Sequence, residues 1–227
     1  VELENVADSD LVSTDDVESG YVVNRKNDCV YPIQEGILSM LSFADLKRPF
    51  YRECLEPFLS VCPDPHRPIL SAHLARLEGS QDANDVGQWN QEEMAYYDAD
   101  VDTPEKRQEF LRTIRSEPLW GIYLERKKHL IDKVPEVSLK GAKILEVGCG
   151  NSRTMSWILP PSTYDYDYLG IDISFKRLVL ARMVMPKGNF VQASALNLPF
   201  KDEAFSTVVA FGSLHHLPDP QAGISSC

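Results

Sequence analysis

The sequence predicts an α/β protein built on a doubly wound parallel sheet, preceded by a small β-rich module and a helical linker. Three observations carry this. From Lys143 onward, short apolar runs alternate with helical periodicity at the spacing of strand–helix–strand units. The first run, "KILEVGCGN" (Lys143–Asn151), breaks into two glycines spaced one apart, the form of a tight strand-to-helix turn. The first 47 residues instead hold short apolar patches, "GYVV" and "CVYPIQEGILSML".

Taken in order, residues 1–47 form the β-rich module and residues 48–140 a linker and helical region. Within the linker, 48–102 reads as irregular, because "VCPDPHRPIL" is rich in proline and "EGSQDANDVGQWNQEE" in turn and polar residues. Thr103-Pro104-Glu105 then sets an N-cap followed by proline at the first helical position. Helical periodicity follows in "EKRQEFLRTIR" and "LWGIYLERKKHLIDKV". Residues 141–227 hold the α/β unit. "KILEVG" is a buried strand, "SRTMSWIL" a short helix and "YLGIDI" a second strand. "SFKRLVLARMVM" is an amphipathic helix capped by Ser174, while "NFVQAS" and "FSTVVAFG" are strands three and four.

Composition bounds the function. The 227 residues are 43% hydrophobic and 25% charged, the balance of an ordinary globular chain, and no apolar run approaches the ~18 residues of a membrane span. Residues 141–227 carry seven basic and seven acidic side chains. The formal charge of -11 therefore sits wholly in residues 1–140, with 16 basic against 27 acidic groups. So acidic a chain is poorly suited to neutralising nucleic-acid phosphates. Five cysteines, odd in number and without a C-x-x-C, point to a reducing compartment and to no zinc site. The acidic start has no basic and apolar regions of a signal peptide and no initiator Met, so the cytoplasm is the default expectation.

The glycine turn is where chemistry is expected. Gly148 and Gly150 let the backbone turn tightly and approach a ligand closely. A third glycine at position 153 would complete the dinucleotide fingerprint, but Arg153 stands there, which counts against a nicotinamide- or nucleotide-sugar-dependent oxidoreductase. Asp172 ends the second strand, 24 residues after Gly148, where an acid can accept hydrogen bonds from both ribose hydroxyls. Its alternative role is a helix cap or loop acid. Glu146 lies inside an apolar strand and needs a partner, such as a salt bridge to a neighbouring helix or a ligand.

Together, "ILEVGCGNS", "YLGIDIS" and "NFVQASALNLPFKDEAFSTVVAFGSLHHLPDP" resemble the class I S-adenosylmethionine-dependent methyltransferases, of the type 11 group, over roughly residues 141–220. The resemblance implies a Rossmann-like sheet, S-adenosyl-L-methionine as cofactor and methyl transfer by direct in-line displacement. It places Glu146, Gly148 and Gly150 under the amino-acid part of the cofactor, with Cys149 contributing backbone. Asp172 would bind the ribose hydroxyls and Ile173 pack on the adenine, with Ser194, Ala195 and Phe211 further along the same site. Two positions depart from the family pattern: Ser194 and Ser206 stand where an Asp is usual. "GSLHHLPDP" would line the face between cofactor and acceptor, making His215 (or His216) a candidate general base. Either histidine can equally cap or pack the loop.

A second resemblance lies in "GYVVNRKNDCVYPIQEGILSML", which is similar to the zinc-ribbon-like module of the tRNA-methyltransferase activator type. Tyr31–Ile37 keep the second half of that pattern. Its metal-binding cysteines fall on Asn24–Asn27, Ser13 and Asp16, side chains that do not replace thiolates, so a metal-free module is expected. Trp89, Tyr96 and Tyr97 mark either a lid over the cofactor or a helix packed on the core. The chain stops seven residues after Pro220, where the family continues with a helix and three strands. The expectation is a C-terminally truncated sheet whose fourth strand is an apolar edge, prone to pair with a partner chain or a second copy. The methyl acceptor, a small molecule or a protein, is not legible. A non-catalytic binding or regulatory protein is the rival to an active methyltransferase.

Overall fold

The fold is seen in a computed structural model, which describes residues 9–11, 18–26, 28–41, 48–78, 92, 94–96, 98–99, 101, 103–113, 122, 125–129, 141–159 and 166–225. Its strands form one sheet. Strands β1 (Ser9–Leu11), β2 (Ser19–Asn24), β3 (Cys29–Gln34) and β4 (Ile37–Ser39) make an antiparallel meander. Strands β5 (Ala142–Val147), β6 (Tyr166–Asp172), β7 (Asn189–Gln192) and β8 (Thr207–Val209) are parallel, and the spatial order across the sheet is β1-β2-β3-β4-β7-β6-β5-β8.

The meander joins the parallel part through β4, which runs parallel to β7 with Leu38 opposite Val191 and Ser39 opposite Gln192. The Met40 N–H extends the join, donating to the Gln192 carbonyl at 2.7 Å. Ser39 Oγ donates to Gln192 Oε1 between the same two strands. Both side chains are buried, so each would cost free energy without this partner.

The α/β alternation read from Lys143 onward is present. Helix α4 (Arg153–Ile158) follows β5, and helix α5 (Phe175–Val184) follows β6. Ser174 caps α5, its Oγ accepting from the Arg177 N–H at 3.2 Å. Helices α4 and α5 bury Met155, Ile158, Phe175, Leu178, Val179 and Ala181 on one face of the sheet, against Ile144, Cys149, Tyr168 and Phe190. The opposite face gathers Leu145, Val147, Leu169, Ile171, Val191, Ala193, Phe200 and Met40. The period of two along β5 and β6 sorts these residues between faces. Burial on both faces explains why the strands read as continuous apolar runs.

Residues 48–102 correct the sequence reading. That stretch holds α1 (Arg48–Leu55) and α2 (Arg67–Glu78), joined through a 3-10 turn at Glu56–Ser60. Pro68 lies in the first turn of α2, where its missing N–H costs no hydrogen bond, so the proline marks a helix start. Leu70, His73, Leu74 and Leu77 repeat at helical spacing and are buried. Each such leucine contributes about 2 kcal/mol by leaving water. They pack with Tyr21, Val23, Val30, Leu41, Tyr51, Leu55, Cys62 and Met94 in a third cluster under the meander. Helix α3 (Pro104–Thr113) starts as expected, with Thr103 Oγ1 accepting from the Lys106 N–H at 3.3 Å. The chain's described part closes with a 3-10 turn at Leu214–His216 and α6 (Pro220–Ser225). Among the described residues no helix is long and apolar enough to cross a membrane.

Candidate functional site

The C-terminal ends of β5 and β6 lie side by side, with Val147 opposite Ile171 in register. That register brings the glycine turn and the strand-end acid together. Asp172 Oδ2 accepts from the Gly150 N–H at 2.8 Å, and its Oδ1 accepts from the Ser174 N–H at 2.8 Å. Both carboxylate oxygens are thereby oriented by backbone, each with a lone pair left for a further donor. Burial is the largest influence on this carboxyl and raises its pKa, opposed by the two backbone hydrogen bonds.

The two glycines serve different purposes. Gly148 has φ +69, and a Cβ there would lie 2.3 Å from Ser213 Cβ, so the loop after β8 packs directly on it. Ser213 Oγ donates to the Val147 carbonyl at 2.7 Å and holds that contact. Gly150 has φ +54 and nothing within 4 Å of where a Cβ would stand. It therefore leaves open space over the turn, beside Asp172. The Cys149 N–H is used internally, donating to the Ile171 carbonyl at 2.8 Å, and its thiol is buried with its pKa pushed well up. The main-chain donors of Cys149 and Gly150 thus shape the turn, and the turn presents its open side over Gly150.

Glu146 found a partner that sequence reasoning missed. It is only 2% exposed and accepts a hydrogen bond from the Tyr168 hydroxyl, which is also 2.9 Å from Ser152 Oγ. Burial pushes the Glu146 carboxyl up to about 8, while the Tyr168 bond pulls the other way. Gly170 stands opposite Glu146 in the β5–β6 register, and a Cβ on it would lie 2.9 Å from the Tyr168 hydroxyl oxygen. The missing side chain at 170 gives the tyrosine ring room to reach the acid. The signal was in the sequence, as "DYLGID" places Tyr168 and Gly170 on one face of a strand. Naming Glu146 as their partner requires the register.

The remaining candidates are distributed as follows. Ile173 is half-buried and packs on the cluster under the meander, its carbonyl accepting from Gln192 Nε2 at 2.9 Å. Ser194 is buried in the turn after β7, where its Oγ accepts from the Leu196 N–H at 3.3 Å. Ala195 packs on the opposite sheet face. Phe211 packs against the α4–α5 side, with Lys127 Nζ 5.1 Å above its ring centroid. His215 is exposed, its ring 4.0 Å from that of His216. Ser206 bridges the sheet edge instead, its Oγ accepting from the Lys143 N–H at 3.0 Å. Tyr96 is 71% exposed. Ser13, Asp16, Asn27, Trp89 and Tyr97 lie outside the described residues.

Comparison with known proteins bears on this site. Residues 145–227 match the family described as "Methyltransferase domain". An O-methyltransferase of Aspergillus nomiae is 30% identical over 95 residues, which is 39% of this chain and 41% of that protein. A phthiotriol/phenolphthiotriol dimycocerosates methyltransferase of Mycobacterium ulcerans is 34% identical over 84 residues, 36% of this chain and 31% of the relative. The chain thus spans well under half the length of these relatives. Among solved structures, a complex of the Haloferax volcanii Trm112 methyltransferase activator with a methyltransferase aligns with a TM-score of 0.44 at 16% identity. That alignment covers 57% of this chain and 53% of the other.

Proposed function

We propose that this methyltransferase domain holds S-adenosylmethionine at the turn after β5 and that the whole protein transfers its methyl group to an acceptor. One observation supports this most: the Gly150 N–H bonded to Asp172, beside open space over Gly150. A carboxylate so held suits the two ribose hydroxyls, and the open turn suits the adjoining chain of the cofactor. S-adenosylmethionine, when bound, supplies a methyl group on a positively charged sulfur.

The chain's own residues then orient and shield. Asp172 accepts hydrogen bonds and fixes the sugar. Glu146, neutral through most of the physiological range, keeps a second negative charge from forming beneath the turn. Tyr168 and Ser152 hold it in place. The loop from Phe211 to His216 closes over Gly148 through Ser213. His215 lies at its exposed end, where it can take a proton from an acceptor hydroxyl or amine. Holding nucleophile and methyl carbon in line lowers the barrier to such a displacement by sparing translational and rotational entropy. The acceptor is a small molecule or a protein rather than nucleic acid, in keeping with the charge of -11. The meander fits a metal-free relative of the activator-type module, supported by Tyr31–Ile37 lying across β3 and β4 beside the parallel strands. The odd cysteine count without a C-x-x-C favours a reducing compartment such as the cytoplasm.

The test is calorimetric titration of the purified chain with S-adenosylhomocysteine, alongside Asp172→Asn. Binding by the wild type that weakens at least about tenfold in the variant supports the assignment. A folded wild type that does not bind, or an unaffected variant, refutes it.

A further inference from the structure

The turn that carries Asp172 is gripped from outside the α/β unit. Ser174 Oγ donates to Asp98 Oδ1 at 2.6 Å. The same Ser174 caps α5, and its N–H holds Asp172 Oδ1. On the other side of the turn, Gln192 Nε2 donates to the Ile173 carbonyl at 2.9 Å and lies 3.8 Å from Met94 Sδ. Met94 is 1% exposed and packs in the cluster under the meander. Residues 94–96 and 98–99 are helical, and their two least exposed side chains, Met94 and Asp98, meet Gln192 and Ser174. A cavity of about 190 Å³ lies among Met94, Asp98, Phe175 and Gln192, so this segment sits on the turn through the packing of Met94 on one side of the cavity and the Asp98–Ser174 bond on the other.

We infer that Asp98 is a positioning residue for the ribose-binding carboxylate: by accepting the Ser174 Oγ proton it keeps that hydroxyl away from Asp172, whose two oxygens stay oriented by the Gly150 and Ser174 N–H groups alone. The inference rests on the donor-site reading above and adds to it a residue 74 positions upstream of that acid. The physical argument is one of geometry. A serine hydroxyl has one proton to give and rotates freely. Given to Asp98, that proton leaves the Oγ lone pair facing the Arg177 N–H, as observed. Without Asp98 the hydroxyl is free to turn toward the Asp172 carboxylate and use a lone pair meant for the sugar.

The experiment measures calorimetric affinity of the full 227-residue chain for S-adenosylhomocysteine and for its 2′,3′-dideoxy analogue. Wild type, Asp98→Ala, Asp98→Asn and Asp172→Asn are compared. Asp98→Ala is expected to bind S-adenosylhomocysteine about fivefold to tenfold more weakly while its affinity for the dideoxy analogue stays at the wild-type value. Asp98→Asn keeps an acceptor oxygen for Ser174 and is expected to restore wild-type affinity. Equal losses for both ligands would mean a general structural role and overturn the inference, as would an unchanged Asp98→Ala beside a weakened Asp172→Asn. Failure of the folded wild type to bind either ligand overturns the donor-site reading itself, and the inference with it.

Discussion

Replacing Glu146 with glutamine should change how stability depends on pH, in a direction set by two buried groups. The Glu146 carboxyl moves from 4.5 to about 8 on folding because burial disfavours its charge. Between those values the folded state binds the extra proton, so stability is full below pH 4.5 and is lost as pH rises through 8, at about 1.4 kcal/mol per pH unit. His73 does the reverse: burial lowers it from 6.5 to about 4, so its contribution is present above 6.5 and lost as pH falls toward 4. The slopes are equal and opposite where the windows overlap, between pH 4.5 and 6.5, and they cancel there. Above 6.5 the His73 contribution is complete, and the wild type should lose about 2 kcal/mol relative to the glutamine variant between pH 6.5 and 8. Glutamine keeps the shape and an acceptor for the Tyr168 hydroxyl but has no proton to lose. The variant should therefore keep the gain through His73 from pH 4 to 6.5 and lack the Glu146 loss above it. Urea unfolding at half-unit pH steps from 5 to 8.5, on both proteins, measures the difference directly. A wild-type-minus-variant difference that stays constant across that range would refute the assignment of a proton to Glu146.

Other perturbations separate the parts of the site. Tyr168→Phe leaves the buried Glu146 and Ser152 without their shared partner, a cost of about 1 to 3 kcal/mol in urea unfolding. It should also move the wild-type loss of stability to higher pH, because the lost hydrogen bond is one that lowers the Glu146 pKa. Gly150→Ala meets open space and suffers only the left-handed backbone, about 1 to 2 kcal/mol, so it should fold yet bind S-adenosylhomocysteine poorly. Gly148→Ala adds overlap with Ser213 and should melt at a lower temperature than Gly150→Ala; equal melting points would mean the Ser213 contact is not held in solution. Among the described strands β8 pairs only with β5, and Val208 is 36% exposed, so the chain should self-associate in light scattering and Val208→Lys should reduce this.

What the sequence determined by itself was local. Apolar runs of strand length, the Ser174 cap, the Thr103–Pro104 helix start and the Gly148–Gly150 turn each rest on residues within a few positions of one another, and each is present. Asp172 was legible as a strand-end acid for the same reason. The helices over 48–78 were not, because Pro68 reads as a breaker until its place in a first turn is known. Tertiary structure alone decided the long-range pairings. It joined the meander to the parallel strands through Ser39 and Gln192, across 153 positions. It set Tyr168 on Glu146 through the register of β5 on β6, and Asp98 on Ser174 across 76 positions. Buried polar groups must find partners, but a side chain's type says only that it needs one. Which one it meets depends on how the whole chain packs.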